Sequence, residues 1–363
     1  MKLKFMSMAA LAACVAFTSC SNDDEPGVQK GNQALSYVSV GINHLANSRA
    51  GITATGFSGS ESIGLFLFGG EGIDDATDAK RYNIGTNAKL KEPINVKYSR
   101  GTEGTVGEDS WNEYFVSTDP IILSEKKGKL YSYYPFAEGE ANKDAKAIPV
   151  NVAATQGSGI SAGSADDNTQ ADYMYGTVIP NVSNQTTKAD IVMNHALSMI
   201  TFKFERDSYP GTGEITKIKL SNKTSGEYLK NGAATMHIGT GAITGGTAGD
   251  VYCTPNAILT DISASDQIPH MLVYPNATVM SEGDVVLEIE MDGKTYRIDL
   301  PHTLSSDSEP YAWLPGKNYV YTLKMKGYGF GADDADGRKN IDVTITQWDD
   351  QVVSAGDLTK PVN

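Results

Sequence analysis

Cysteine is scarce: the 363 residues hold three, Cys14, Cys20 and Cys253. The first two belong to an N-terminal apolar leader, so Cys253 is left alone and no intrachain disulfide is expected. Its nearest histidines in sequence, His237 and His270, make no recognisable nucleophile pattern, and a small buried apolar role is the expectation. Histidine is also sparse, with five at positions 44, 195, 237, 270 and 302. No His-x-x-x-His, Cys-x-x-Cys or Glu-x-x-His pair occurs. That spacing excludes the usual catalytic metal sites, and no cofactor is expected. Basic residues are outnumbered, 30 Lys and Arg against 44 Asp and Glu, for a net charge of −14. Such a surface repels phosphate, which excludes nucleic acid as a partner, and repels anionic lipid headgroups as well. Helical periodicity is scarce too.

What is present begins with Met1 to Glu25. Lys2 and Lys4 precede an apolar run from Phe5 to Phe17, then Thr18-Ser19-Cys20 and the polar, acidic Ser21-Asn22-Asp23-Asp24-Glu25. A positive head, an apolar run too short to span a bilayer and a small-residue junction describe a secretory signal. Ending on cysteine makes it a bacterial lipoprotein signal, with cleavage before Cys20 and acylation of its thiol. Several acyl chains, at about 0.8 kcal/mol per buried methylene, give lasting attachment to a membrane. Leu11-Ala12-Ala13-Cys14 is a competing box, but cutting there would leave Val15-Ala16-Phe17 exposed behind the lipid. Loss of Lys2 and Lys4 lowers the net charge from −14 to −16. Asp23-Asp24-Glu25 resembles the acidic export tag of bacterial surface lipoproteins.

Gly, Ser, Thr, Asn and Asp separate short alternating or β-branched runs, an all-β pattern. Strands are expected at 35–42, 62–68, 94–98, 129–134, 147–152, 191–193, 199–204, 214–220, 234–238, 270–274, 284–291, 294–300, 319–326 and 341–347. Asp292-Gly293 between two of them predicts a hairpin. About fourteen strands suit two sandwiches of about seven strands each. The domain boundary is expected in the polar stretch 181–188, with 157–167 as a surface loop.

Enzyme motifs are poorly supported. Gly159-Ile160-Ser161-Ala162-Gly163 matches a nucleophile elbow by letter, but lies in a polar loop without the strand and helix that the elbow needs. Asp333-Asp334-Ala335-Asp336-Gly337 lacks the later oxygen ligands of a calcium loop and reads as a solvated turn. Trp111, Trp313 and Trp348 could stack on sugars, yet each lies in or beside a strand-like segment, where core packing is expected. His195, among apolar residues, is expected to be a hydrogen-bonded structural histidine.

Four segments resemble the fimbrillins, subunits of type V pili. They are Asn194-His195-Ala196-Leu197-Ser198-Met199-Ile200, Pro315-Gly316-Lys317-Asn318-Tyr319-Val320-Tyr321-Thr322-Leu323, the run from Ile341 to Trp348, and Tyr131-Ser132-Tyr133-Tyr134-Pro135-Phe136. The resemblance covers most of the mature chain. It implies an all-β fold of two transthyretin-like β-sandwich domains and no enzymatic activity. It also implies an assembly route in which a lipid-anchored precursor reaches the outer membrane surface, a trypsin-like, Arg-specific protease removes the first strand, and another pilus subunit supplies a replacement.

The chain supplies parts for this route. Arg49 lies among small residues in an accessible-looking loop, and cleavage between Arg49 and Ala50 would release the lipid and the strand 35–42. Arg81 and Arg100 lie deeper. The expected layout is a signal peptide 1–19, an acylated propeptide 20–49, domains 50–188 and 189–363, and a donor tail 349–363 with Val352, Val353 and Leu358 as apolar candidates. A strand added from a neighbour makes a head-to-tail contact that propagates as a filament. The expected function is a structural and adhesive pilus subunit, surface-exposed as a lipid-anchored precursor and fimbrial after processing, with host or bacterial surface ligands as further partners. The alternatives are an uncleaved anchor subunit and a monomeric surface lipoprotein that binds glycan or protein.

Overall fold

Period-two burial in two central strands organises the structure. In Ser62–Gly69, Ile63, Leu65 and Leu67 enter one hydrophobic core while Phe66 enters another. In the adjacent Gly128–Tyr134, Leu130 and Tyr134 enter the first core while Tyr131 and Tyr133 enter the second. Opposite faces of a strand diverge by geometry, so a strand apolar on both faces is one with a core on each side. The two strands pair antiparallel with Gly64 opposite Tyr133. A Cβ at Gly64 would lie 2.0 Å from the Tyr133 ring, so only glycine fits there.

The computed structural model describes residues 36–42, 61–74, 82, 92–100, 113–159, 161–162, 165–166, 169–206, 208–223, 226–258, 268–304, 306, 308–325 and 341–347. Its regular elements are strands, with one 3₁₀ turn at Glu140–Lys143 among the described residues. The fold is therefore all-β, as the turn-punctuated alternation predicts.

The first sheet runs in the order Lys188–Ile191, Ser39–Ile42, Glu113–Val116, Val96–Arg100, Ser62–Gly69, Gly128–Tyr134, Met174–Gly176, Met193–His195, and Ile179–Val182 also pairs with Gly128–Tyr134. Its end strands, Lys188–Ile191 and Met193–His195, are separated only by Val192. The sheet must therefore curl until its two ends meet, enclosing the first core.

The second core lies among three further sheets. His270–Val273, Ser198–Arg206, Lys317–Met325 and Ile341–Gln347 form one, in that order. Val251–Cys253, Glu214–Asn222, Val285–Met291 and Lys294–Asp299 form the second, with Ala257–Ile258 also on Glu214–Asn222. Ile243–Ala248, Lys230–Met236 and Ile148–Val152 form the third. The outer face of the second of these sheets is a ladder of opposed charges: Lys217 with Glu290 at 3.5 Å, Lys219 with Glu288 at 3.4 Å, and Glu288 with Arg297 at 3.4 Å. Cross-strand pairs of this kind suit a solvated face.

Several expectations shift. The strand expected at 94–98 starts at Val96, because Pro93 has no N–H and Asn95 has φ 52°. The stretch 181–188 is a tight turn inside the first sheet, closed by Ser183 N to Thr186 O at 3.1 Å and Thr186 N to Ser183 O at 2.9 Å. The strand Ile148–Val152 precedes that turn in sequence yet pairs with Lys230–Met236 beyond it. In the expected loop 157–167, Ser161–Ala162 and Ala165–Asp166 pair with each other, and the Gly157 and Gly159 carbonyls accept from Thr254 N (2.9 Å) and His270 N (2.8 Å).

The Asp292-Gly293 hairpin is present, with both residues at positive φ (49° and 71°), as a two-residue turn requires. Asp292 also ties a distant loop to this hairpin. Its carboxylate accepts from Thr212 Oγ1 (2.6 Å), Tyr209 Oη (2.8 Å), Gly213 N (2.9 Å) and Glu214 N (2.9 Å). Burial works to raise its pKa, but these four donors outweigh burial and hold the carboxyl well below the usual aspartate range. A lowered native pKa means stability that is complete above about pH 4, the unfolded value, and is lost as the pH falls toward the native value. Asp292→Ala should lower stability by about 1–2 kcal/mol near neutral pH, read by urea unfolding. Wild type and variant should converge as the pH is lowered below about 4, because the wild type then loses the same contribution.

Candidate functional site

The candidate site is the slot in the first sheet filled by the leading strand segment. Ser36–Tyr37 pairs antiparallel with Ile122–Leu123, and Val38 N donates to Ile121 O at 3.2 Å. Ser39–Ile42 then runs between two strands. On one side it is antiparallel to Glu113–Val116, with Val40 opposite Phe115. On the other it is parallel to Lys188–Ile191, with Val40 opposite Ala189, and Ser39 N donates to Thr187 O at 2.9 Å. Val40 is 0% exposed and Val38 5%, and both belong to the first core. Full burial of one valine contributes about 1.5–3 kcal/mol, so these two side chains and the ladder bonds each add to holding the segment.

Of the expected segment 35–42, Ser39–Ile42 lies in the first sheet and Ser36–Tyr37 in a separate two-stranded sheet with Ile122–Leu123, the two broken at Val38, and Leu35 lies outside the described residues. Ser39–Ile42 is not an edge strand: it has a partner on each side. Removing it would leave two facing rows of backbone N–H and C=O groups over an apolar floor that includes Leu65, Phe115 and Ala189, a groove instead of a single edge. The second wall, Lys188–Ile191, overlaps the expected strand 191–193 only at Ile191; that expected strand is split at Val192 between Lys188–Ile191 and Met193–His195. The wall's own signal is an alternation: Lys188 and Asp190 are exposed, Ala189 and Ile191 are buried.

The other expected site residues distribute as follows. Cys14, Cys20, Arg49, Ala50, Arg81, Val352, Val353 and Leu358 lie outside the described residues, as do Trp111, Trp348 and the segment 333–337. Arg100 ends the strand Val96–Arg100 in the middle of the sheet. Trp313 is 0% exposed, its Nε1 donating to Tyr321 Oη at 3.2 Å, and packs edge-on against Tyr228. His195 is buried with its Nδ1 2.9 Å from an Asp172 carboxylate oxygen, a structural pair. Cys253 is fully buried, and burial pushes its thiol up to about 12. Ser161 sits in a two-residue strand that returns to Ala165–Asp166, not at a strand-to-helix elbow. Among the described residues no His, Cys, Asp and Glu side chains cluster as a metal site, and no helix is long and apolar enough to cross a membrane.

Three of the four fimbrillin-like segments meet in one sheet. Ser198–Arg206 runs parallel to Lys317–Met325, with Ile200 opposite Tyr319, and Lys317–Met325 is antiparallel to Ile341–Gln347. Tyr131–Tyr134 lies in the wall between the cores. Residues 48–348 match the Fimbrillin-like family, and the chain belongs to it. This is a family of fimbrial structural subunits, not of enzymes, and its work is at the cell surface. No curated protein matches the chain. Among solved structures, the fold is similar to a candidate cell adhesion protein of Bacteroides uniformis, at 17% identity and TM-score 0.55, over 87% of this chain and 98% of that one. It is also similar to a candidate cell adhesion protein of Bacteroides ovatus, at 16% identity and TM-score 0.57, over 87% of this chain and 99% of that one.

Val40→Ala should test the slot. The substitution removes two buried methyls between Phe115 and Ala189 and should destabilise the protein by about 1–3 kcal/mol. Hydrogen exchange should speed up first at the amides of 113–116 and 188–191, ahead of the strands of the second core, as local opening of the slot requires.

Proposed function

We propose that the protein is a pilus subunit exported as a lipoprotein precursor, in which the segment 36–42 is a temporary plug. Its layout is a signal peptide 1–19, a propeptide 20–49 acylated at Cys20, and domains 50–188 and 189–363 that trade strands: Ile148–Val152 joins a sheet of the second core, while 189–191 and Met193–His195 complete the sheet of the first. An Arg-specific protease cuts between Arg49 and Ala50 and releases the plug with its lipid. The tail 349–363 of a neighbouring subunit, presenting Val352, Val353 and Leu358, then enters the slot. The observation that carries this reading is the two-sided slot. A strand that enters from near the N-terminus, runs parallel to one wall and antiparallel to the other, and buries Val38 and Val40 can be replaced by an incoming strand that takes up the same two partners. Backbone bonds to two walls give the incoming strand affinity, and alternate side chains set its register. The contact joins unlike surfaces, so it propagates instead of closing.

N-terminal sequencing of the surface-exposed protein tests the proposal. The expected result is a start at Ala50, with SDS-resistant ladders on gels that disappear in Arg49→Ala. A blocked, acylated Cys20 on every copy and no ladder would overturn it in favour of an anchor or a monomeric binder.

A further inference from the structure

Two strands at the rim of the second core have outward hydrogen-bonding groups met by glutamine side chains instead of by another strand. The first is His270–Val273, which pairs with Ser198–Arg206 on its inner side. Alternate residues of an antiparallel pair point their N–H and C=O groups away from the partner. Here those groups belong to His270 and Leu272. Leu272 N donates to Gln156 Oε1 at 2.8 Å, and Gln156 Nε2 donates to Leu272 O at 2.6 Å. His270 N is taken by Gly159 O at 2.8 Å. The second is Ile148–Val152, paired on its inner side with Lys230–Met236. Its outward positions are Pro149, which has no N–H, and Asn151. Asn151 O accepts from Gln170 Nε2 at 2.9 Å, Asn151 N donates to Tyr173 Oη at 3.1 Å, and the following Ala153 N donates to Gln170 Oε1 at 2.7 Å.

A glutamine amide carries the donor and acceptor of a peptide unit. Each of these two is turned so that it reproduces the paired bonds of a neighbouring strand. Both are buried, Gln156 at 0% and Gln170 at 4% exposure, so neither arrangement is a chance surface contact. Two other edges are guarded by familiar means. Lys294–Asp299 carries Lys294, Arg297 and Asp299, and Ile243–Ala248 has Gly245 and Gly246 at φ 112° and 74° opposite a register shift.

We infer that Gln156 and Gln170 are specificity determinants of assembly: their side-chain amides stand in for a strand and close these two edges to other chains. Strand addition is thereby steered away from these two edges and toward the slot that receives Ser39–Ile42. The steering rests on the pilus reading above; the closure of the edges does not.

The test uses the full chain carrying Arg49→Ala, so that the slot keeps its own plug and donor exchange cannot contribute. Gln170→Leu in that background should shift the chain from monomer toward dimer and larger species by at least tenfold in sedimentation, through the opened Ile148–Val152 edge. Adding the exposed Asn151→Lys should return it to monomer, because a charge on the edge replaces the lost amide as a guard. A Gln170→Leu chain that stays monomeric overturns the inference, and so does self-association that Asn151→Lys leaves unchanged. If Gln170→Leu does not fold, hydrogen exchange of the unsubstituted chain decides. Leu272 and Ala153 amides exchanging as slowly as strand-interior amides support the closure, and exchange at loop rates refutes it.

Discussion

The structure depends on the antiparallel pair Ser62–Gly69 and Gly128–Tyr134, because this pair faces two cores at once. On one side Ile63, Leu65, Leu67 and Leu130 support the first core. On the other, Phe66, Phe68, Tyr131 and Tyr133 stand as an aromatic patch, with ring centroids about 6 Å apart as aromatic pairs prefer. A polar substitution on either face would strand a buried group in one core and loosen the wall of the other. Close approach at Gly64 sets the register, and with it which residues face which way: a slip by one residue would send both faces to the wrong side.

This wall also separates two ways of managing a sheet edge. The second core closes edges with side chains, as at Leu272 and Asn151, or guards them with charge and a bulge. The first sheet closes on itself through Val192 but takes Ser39–Ile42, a short segment from near the N-terminus, into its circuit. A side-chain amide cannot leave its edge without the fold around it moving. A four-residue strand near a chain end can. In the proposed assembly, one part of the molecule is therefore built for permanence and the other for exchange.

Strands with strong alternation or a β-branched run were legible in the sequence: Ser62–Gly69, Gly128–Tyr134, Ser198–Arg206, Glu214–Asn222, Val285–Met291 and Lys294–Asp299 fall where the pattern puts them, and so does the Asp292-Gly293 turn. Short strands were not. Glu113–Val116 and Met174–Gly176 are too brief to show a period, and Ile243–Ala248 is rich in glycine, so only pairing makes them strands. Polar 181–188 looks like a linker because a tight turn and a linker share Ser, Asn and Thr; only the bridge between Ser183 and Thr186 separates them. Of the candidate site, the strand Ser39–Ile42 was legible from its apolar positions. The second wall was caught only at Ile191, because Lys188 was absorbed into the polar stretch before it and three residues of alternation are too few to show a period. Gln156 and Gln170 carry no sequence signal, since a glutamine that mimics a strand is spelled like any other.

In the proposed assembly, cleavage at Arg49 changes the standing of the segment 36–42 without touching a contact. While 36–42 is joined to the sheet through 43–60, it competes for the slot at the effective concentration of a tethered segment, on the order of millimolar. Two buried valines and short ladders then add to the tether in keeping it seated. Once the chain is cut at Arg49, the same segment is a separate peptide that dilutes away when it dissociates, and the advantage of the tether is gone. A donor tail need not bind better than the plug did. It needs only to arrive on a subunit that stays nearby, and to bring apolar side chains for the positions that Val38 and Val40 occupied. In the proposed assembly the short length of the plug is therefore a functional requirement: a longer, better-packed segment would stay in the slot after cleavage and block the filament.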